Sequence, residues 1–172
     1  MTAATEPSLA RFNALPEAEA RQALHACCAA AAWVDGVVAG RPYPDRSVLI
    51  DRSGSVLANL DWADVREALD AHPRIGERAR QPGVEATWSA AEQSGMDSAT
   101  ADVRAALVDT NRAYEDRFGH VFLIFATGRT DTEMLAAARE RLGNDEARER
   151  EIVRTELGKI VELRLTKLLG AE

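Results

Sequence analysis

Four groups of residues in this 172-residue chain have types and spacings that could do chemistry. The first is His72, inside "ALDAHPRIGERA", residues 68–79, where a helix must end because the residue before a proline is pushed out of the α region. An imidazole fixed there can point into a cleft and transfer a proton near neutral pH, since its unperturbed pKa is about 6.5. It can equally sit as a helix-terminal histidine interacting with the dipole. The second is Ser89 to Gln93, "SAAEQ". Ser89 and Glu92 have the form of a capping box, so a helix is expected to start there, with Glu92 bonding back to the Ser89 backbone. Helix N-termini also bind anions, so Ser89 and the N–H groups after it could hold a carboxylate or ureido oxygen. The third is Arg164, which occupies an apolar slot in the stripe Val153, Leu157, Ile160, Leu168. It must find a partner or snorkel out, and its fork suits a carboxylate. Arg129 is expected to pair with a nearby surface acid. The fourth is "FLIFATG", residues 122–128, either a plain core segment or unpaired main chain that reads a small amide-rich ligand.

The elements that must position these groups are helical. "PSLARFNALP" reads as a short helix between two prolines. Pro16 suits the first turn of the next, with Glu17 and Glu19 at its positive end, and this Ala-rich helix is expected to run on through "HACCAAAA". Gly and Pro clusters should then break up "WVDGVVAGRPYPD". "RSVLIDRSGSVLANL" is a helix interrupted by Gly54. Asp61 caps a helix with Trp62, Val65 and Leu69 on one face, ending at His72. "RARQPGVEATW" is expected as a loop, and "SGMDS" should break the helix that Ser89 opens. Residues 97–118 place Val103, Leu107, Asn111, Tyr114 and Phe118 on one face, and Gly119 stops them. "HVFLIFATG" has no partner strand and reads as an extended connector. Thr130 to Glu133 is a second capping box, opening a helix that Gly143 ends. The last helix covers about 145–169. The expectation is an all-α protein: a single domain over residues 1–172 with about eight helices and one short extended connector.

Composition narrows the classes. Aromatics are 5% and the net charge is −7; without a basic patch, nucleic acid is set aside as a partner. No run of about 18 apolar residues occurs, so no membrane span is expected. The N-terminus has no basic, apolar leader and the C-terminus no lipidation or peroxisomal address, which gives a cytoplasmic expectation. Adjacent Cys27 and Cys28 read as buried, reduced thiols rather than a disulfide. There is no P-loop, dinucleotide fingerprint, nucleophile elbow or zinc spacing, and no metal site is expected.

"AHPRIGERA", then "SAAEQSGM", then "NRAYEDRFGHVFLIFATGR", then "RLGNDEARERE" and "IVELRLTKLL" together resemble the OHCU decarboxylases. These act on 2-oxo-4-hydroxy-4-carboxy-5-ureidoimidazoline (OHCU) in urate degradation. The resemblance runs in order from about Phe12 to Leu169. It implies an all-α fold, no cofactor, a small ureido-imidazoline substrate and usually a homodimer. It makes His72 and Glu92 the catalytic pair. It gives Pro73, Ser89, Gln93, Arg164 and the main chain of Ile124, Phe125, Ala126, Thr127 and Gly128 to substrate binding. Two rivals remain at this stage. A non-catalytic helical interaction module would explain the all-α pattern and acidic surface, and a related ureido-acid decarboxylase could share the scaffold.

Overall fold

A computed structural model describes residues 6–77 and 82–170; the Arg78–Gln81 part of the expected 78–88 loop lies outside them. Among the described residues the fold is all-α, with nine α-helices, one 3-10 turn and no strand. Contacts cluster in two compact units, one of residues 1–68 with 158–172, the other of residues 69–157.

The first unit begins with α1 (Pro7–Ala14) and α2 (Glu17–Cys27). The Ala-rich run does not continue as one helix. Cys28 is extended and a new helix, α3 (Ala31–Val38), starts three residues later. The cause is distant in sequence: the Glu67 carboxylate accepts from the Ala31 N–H at 2.8 Å, capping a helix whose own residues offer no cap. Gly36 does not break α3 but serves its packing, since a Cβ there would lie 2.8 Å from Val56 Cγ1. Next comes α4 (Arg46–Ala58), capped by the Asp45 side chain, and Asp61 caps α5 (Trp62–Asp70) at Asp64 N. Trp33, Leu9, Leu24, Leu49 and Leu165 are fully buried in this unit. Both cysteines are free and buried, and burial pushes the Cys28 thiol up to about 11.

The second unit carries α6 (Val84–Glu92), the 3-10 turn Ser94–Met96, α7 (Ala101–Phe118), α8 (Asp131–Arg141) and the start of α9 (Glu146–Leu168). Thr100 and Thr130 cap α7 and α8 with their side chains, and Gly119 ends α7 in the left-handed conformation at φ 77°. The Thr130 cap and the Gly119 stop are those expected from the sequence, whereas α7 starts at Ala101, four residues after the expected Asp97. The helix at Ser89 is different. It begins at Val84, five residues earlier, so Ser89 and Glu92 occupy its last turn and not its first. The capping-box reading and the anion site at Ser89 are therefore overturned: the N–H groups after Ser89 lie at the wrong end of the helix to be free donors. The core of this unit joins Ile75, Met96, Leu107, Tyr114, Ile124, Ala126 and Met134.

Candidate active site

Three of the four groups singled out above fall in the second unit. The chain leaves α5 through a turn in which the His72 N–H donates to Leu69 O at 3.0 Å; His72 and Pro73 are half-buried. Ser89 and Glu92, at the end of α6, are buried. Gln93 ends that helix and its Oε1 accepts from Gly76 N–H at 2.9 Å, tying the α6 terminus to the segment just after Pro73. Gly76, at φ 90°, holds the left-handed turn that this requires. The 3-10 turn then meets the end of the connector: a Cβ on Gly95 would lie 2.0 Å from Arg129 O, an approach that only glycine permits. Ile75, Met96, Ile124 and Ala126 pack in one core, so the His72 segment, the α6 terminus and the connector share a common floor.

The connector, residues 120–128, has neither helix nor ladder, and its alternate residues are held by side chains. Leu123 O accepts from Arg141 Nη1 at 2.5 Å. Phe125 N–H donates to Glu156 Oε2 at 2.7 Å, and Phe125 O accepts from Arg129 Nε at 3.1 Å. Arg129 thus binds backbone and not the surface acid expected of it. Ile124 is buried, yet among the described residues neither its N–H nor its C=O has a hydrogen-bond partner. Thr127 and Gly128 are exposed in the turn that follows, with Gly128 at φ 78°.

Arg141 is itself fixed from behind. Glu149, fully buried, accepts from Arg141 Nε at 2.7 Å, from Tyr114 Oη at 2.6 Å and from Asn144 Nδ2 at 3.0 Å. The guanidinium lies 4.6 Å from the Phe122 ring centroid. Burial first, then the bond to Glu149, pushes the Tyr114 hydroxyl far above its ordinary value, so it remains a donor. Arg141, Glu149 and Glu156 were missed in the sequence. Their signal was the one that exposed Arg164, a charge recurring on an apolar helix face, as Glu149 does four residues before Val153.

Arg164 belongs to the first unit. It does not snorkel: it is 5% exposed, and its Nη1 donates to Ala26 O at 3.4 Å. A cavity of about 460 Å³ in the second unit is lined by Arg74, Ile75, Met96, Arg104, Asn111 and Glu115, among others, and by none of the expected site residues. Two of the three arginines that line it are already occupied, Arg74 by Glu115 at 2.7 Å and Arg104 by Met96 O. Among the described residues no group of three or more His, Cys, Asp or Glu could hold a metal ion, and no helix is long and apolar enough to cross a membrane.

The family model of OHCU decarboxylase matches residues 13–166, nearly the whole chain. The chain belongs to the OHCU decarboxylase family. The uric acid degradation bifunctional protein TTL of Arabidopsis thaliana is 31% identical over 148 residues, which are 84% of this chain and 45% of that protein. The chain thus spans less than half of that relative's length. The 2-oxo-4-hydroxy-4-carboxy-5-ureidoimidazoline decarboxylase of Amia calva is 32% identical over 143 residues, 82% of this chain and 79% of its own. A crystal structure of OHCU decarboxylase in the presence of (S)-allantoin matches with a TM-score of 0.75 at 31% identity, covering 84% of this chain and 95% of that one. The relatives named for this reaction are carboxy-lyases, and the fold agrees with that of the solved OHCU decarboxylase.

Proposed function

We infer that the protein is a carboxy-lyase that converts OHCU to (S)-allantoin in urate degradation. The observation that carries this reading is the family match over residues 13–166; the packing in one core of Ile75, Met96, Ile124 and Ala126, which lie close in sequence to His72 and Gln93 or in the connector, supports it. Because the matched residues run through both units, the reading treats residues 1–172 as one functional domain. It extends to a homodimer, on the family resemblance alone, and to work in the cytoplasm.

The substrate carries its own electron sink. As the C4–carboxylate bond breaks, its electron pair forms a C4=C5 double bond and the C5=N pair takes up a proton at nitrogen. The resulting enol then loses its hydroxyl proton and gains one at C5, and the face that receives it sets the hand of allantoin. The enzyme's work is to orient the ring and to place a proton donor. His72 has that role in this reading, with Glu92 holding the C4 hydroxyl or the ring. Gln93 and the connector main chain read the ureido and ring amides. Ile124 is the strongest main-chain candidate, since it offers a buried donor and a buried acceptor that need partners. Pro73 shapes the pocket beside His72, while Ser89, Phe125, Ala126, Thr127 and Gly128 complete the binding segments. Arg164 keeps the substrate-anchoring role that the resemblance gives it. A firm grip on the departing carboxylate would oppose loss of its charge, so the guanidinium holds it loosely or binds another oxygen.

The test is chiral. OHCU is generated in situ from urate with the two upstream enzymes, and circular dichroism follows the product. The expected result is rapid (S)-allantoin formation that falls about a hundredfold or more in a folded His72→Asn variant. Slow racemic decay unchanged by folded protein refutes the reading.

A further inference from the structure

We propose that Glu156 and Arg141 are positioning residues, which turn the Ile124 N–H and C=O together towards the ligand and strengthen both. The proposal rests on the reading above and adds two residues that never need touch the substrate.

The argument follows from peptide planarity. In a trans peptide the C=O of one residue and the N–H of the next lie in one plane and point in opposite directions. The Leu123 C=O shares its plane with the Ile124 N–H, and the Ile124 C=O shares its plane with the Phe125 N–H. Arg141 Nη1 holds Leu123 O at 2.5 Å, so the Ile124 N–H points away from Arg141. Glu156 Oε2 holds the Phe125 N–H at 2.7 Å, so the Ile124 C=O points away from Glu156. Two side chains from α8 and α9 thereby fix both planes that flank Ile124.

The charges are matched to this task. A cation on one end of a peptide makes the N–H at the other end a better donor, and an anion on the N–H makes the C=O a better acceptor, because linked hydrogen bonds polarise one another. Arg141 stands on a carbonyl and Glu156 on an N–H, the arrangement that improves both Ile124 groups. Both side chains are buried, at 6% and 8% exposure, so their fields are weakly screened. A donor and acceptor on one residue match the N–H and C=O of a ureido or lactam edge, which the proposed substrate and product both present. Arg141 cannot swing away, because Glu149 holds its Nε.

The experiment compares wild type with Glu156→Gln, which keeps an acceptor but loses the charge, and Glu156→Leu, which loses both. KM and kcat for OHCU are measured with thermal unfolding, and the Phe125 amide proton is followed by NMR in unliganded protein. The expected result is a KM raised about threefold by Gln and about tenfold by Leu, with kcat changed less, since a charge-assisted bond exceeds a neutral one. The Phe125 amide proton should move upfield in both variants. Folded Glu156→Leu with wild-type KM overturns the proposal, because a purely structural role lowers the melting temperature without moving KM. Should Glu156→Leu not fold, an unchanged KM and an unchanged Phe125 resonance in Glu156→Gln overturn it equally. Failure of wild type to turn over OHCU rejects the functional reading instead, and the Phe125 resonance then still decides the lock.

Discussion

Replacing Gly95 with alanine tests whether the approach between the 3-10 turn and the connector matters to both stability and chemistry. The added Cβ would stand 2.0 Å from Arg129 O, whereas real Cβ atoms essentially never come within 3.0 Å of a neighbour. The obstacle is backbone and not a side-chain end that can swing aside, so the two segments must separate by roughly 1 Å. Overpacking of this kind costs about 1–3 kcal/mol. At about 2–4 °C per kcal/mol for a chain of this size, the melting temperature should fall by about 2–12 °C. The functional effect should be larger than the stability effect. The turn follows directly on Glu92 and Gln93, and Arg129 follows the Ile124–Gly128 segment, so the same 1 Å misplaces two parts of the proposed site. A displacement of that size can cost about a hundredfold in rate. Differential scanning fluorimetry and initial-rate measurements on OHCU would read both. Full activity with an unchanged melting temperature would refute the close-approach argument.

Two further outcomes follow from other positions. Gly54 is exposed inside α4 with nothing within 4 Å of a Cβ, so Gly54→Ala should stabilise by about 0.5–1 kcal/mol in urea unfolding, and any loss would point to unseen crowding. Cys28 gives a pH dependence. Its thiol is raised from 9.0 to about 11, chiefly by burial, so above pH 9 the unfolded chain loses this proton first. Its contribution is whole below pH 9 and is lost as pH rises through about 11, about 2–3 kcal/mol in all. About 1 kcal/mol of that should go between pH 9 and 10, and Cys28→Ala should flatten the profile there; an identical slope in the variant would sink the assignment.

What could be read from the sequence was whatever its own neighbours decide. Thr130 and Asp61 cap helices through atoms three residues away, and Gly119 ends α7 by its own φ. The break at Cys28 could not be read that way, because Glu67 caps Ala31 from 36 residues downstream. Ser89 and Glu92 misled for a related reason: their spacing fits a cap at either end of a turn, and the true start at Val84 carries no side-chain cap. The candidate site divides along the same line. His72, Glu92 and Gln93 were legible from motif order, and His72 also from its proline. The orientation of the connector was not, since Arg141 and Glu156 reach it from 18 and 31 residues away.

The two buried thiols also make the protein its own reporter. At pH 7 a thiol with a pKa about 11 is ionised in roughly one molecule in ten thousand, so Cys28 is nearly silent towards alkylating reagents while buried. Any labelling then measures how often its surroundings open. The chain has only two cysteines, and both fall in the first unit. Alkylation therefore clocks the opening of that unit alone, and amide exchange at the Phe125 N–H clocks the other. Equal opening free energies from the two clocks would mean that the chain unfolds as one cooperative body, and unequal ones that it yields in two steps.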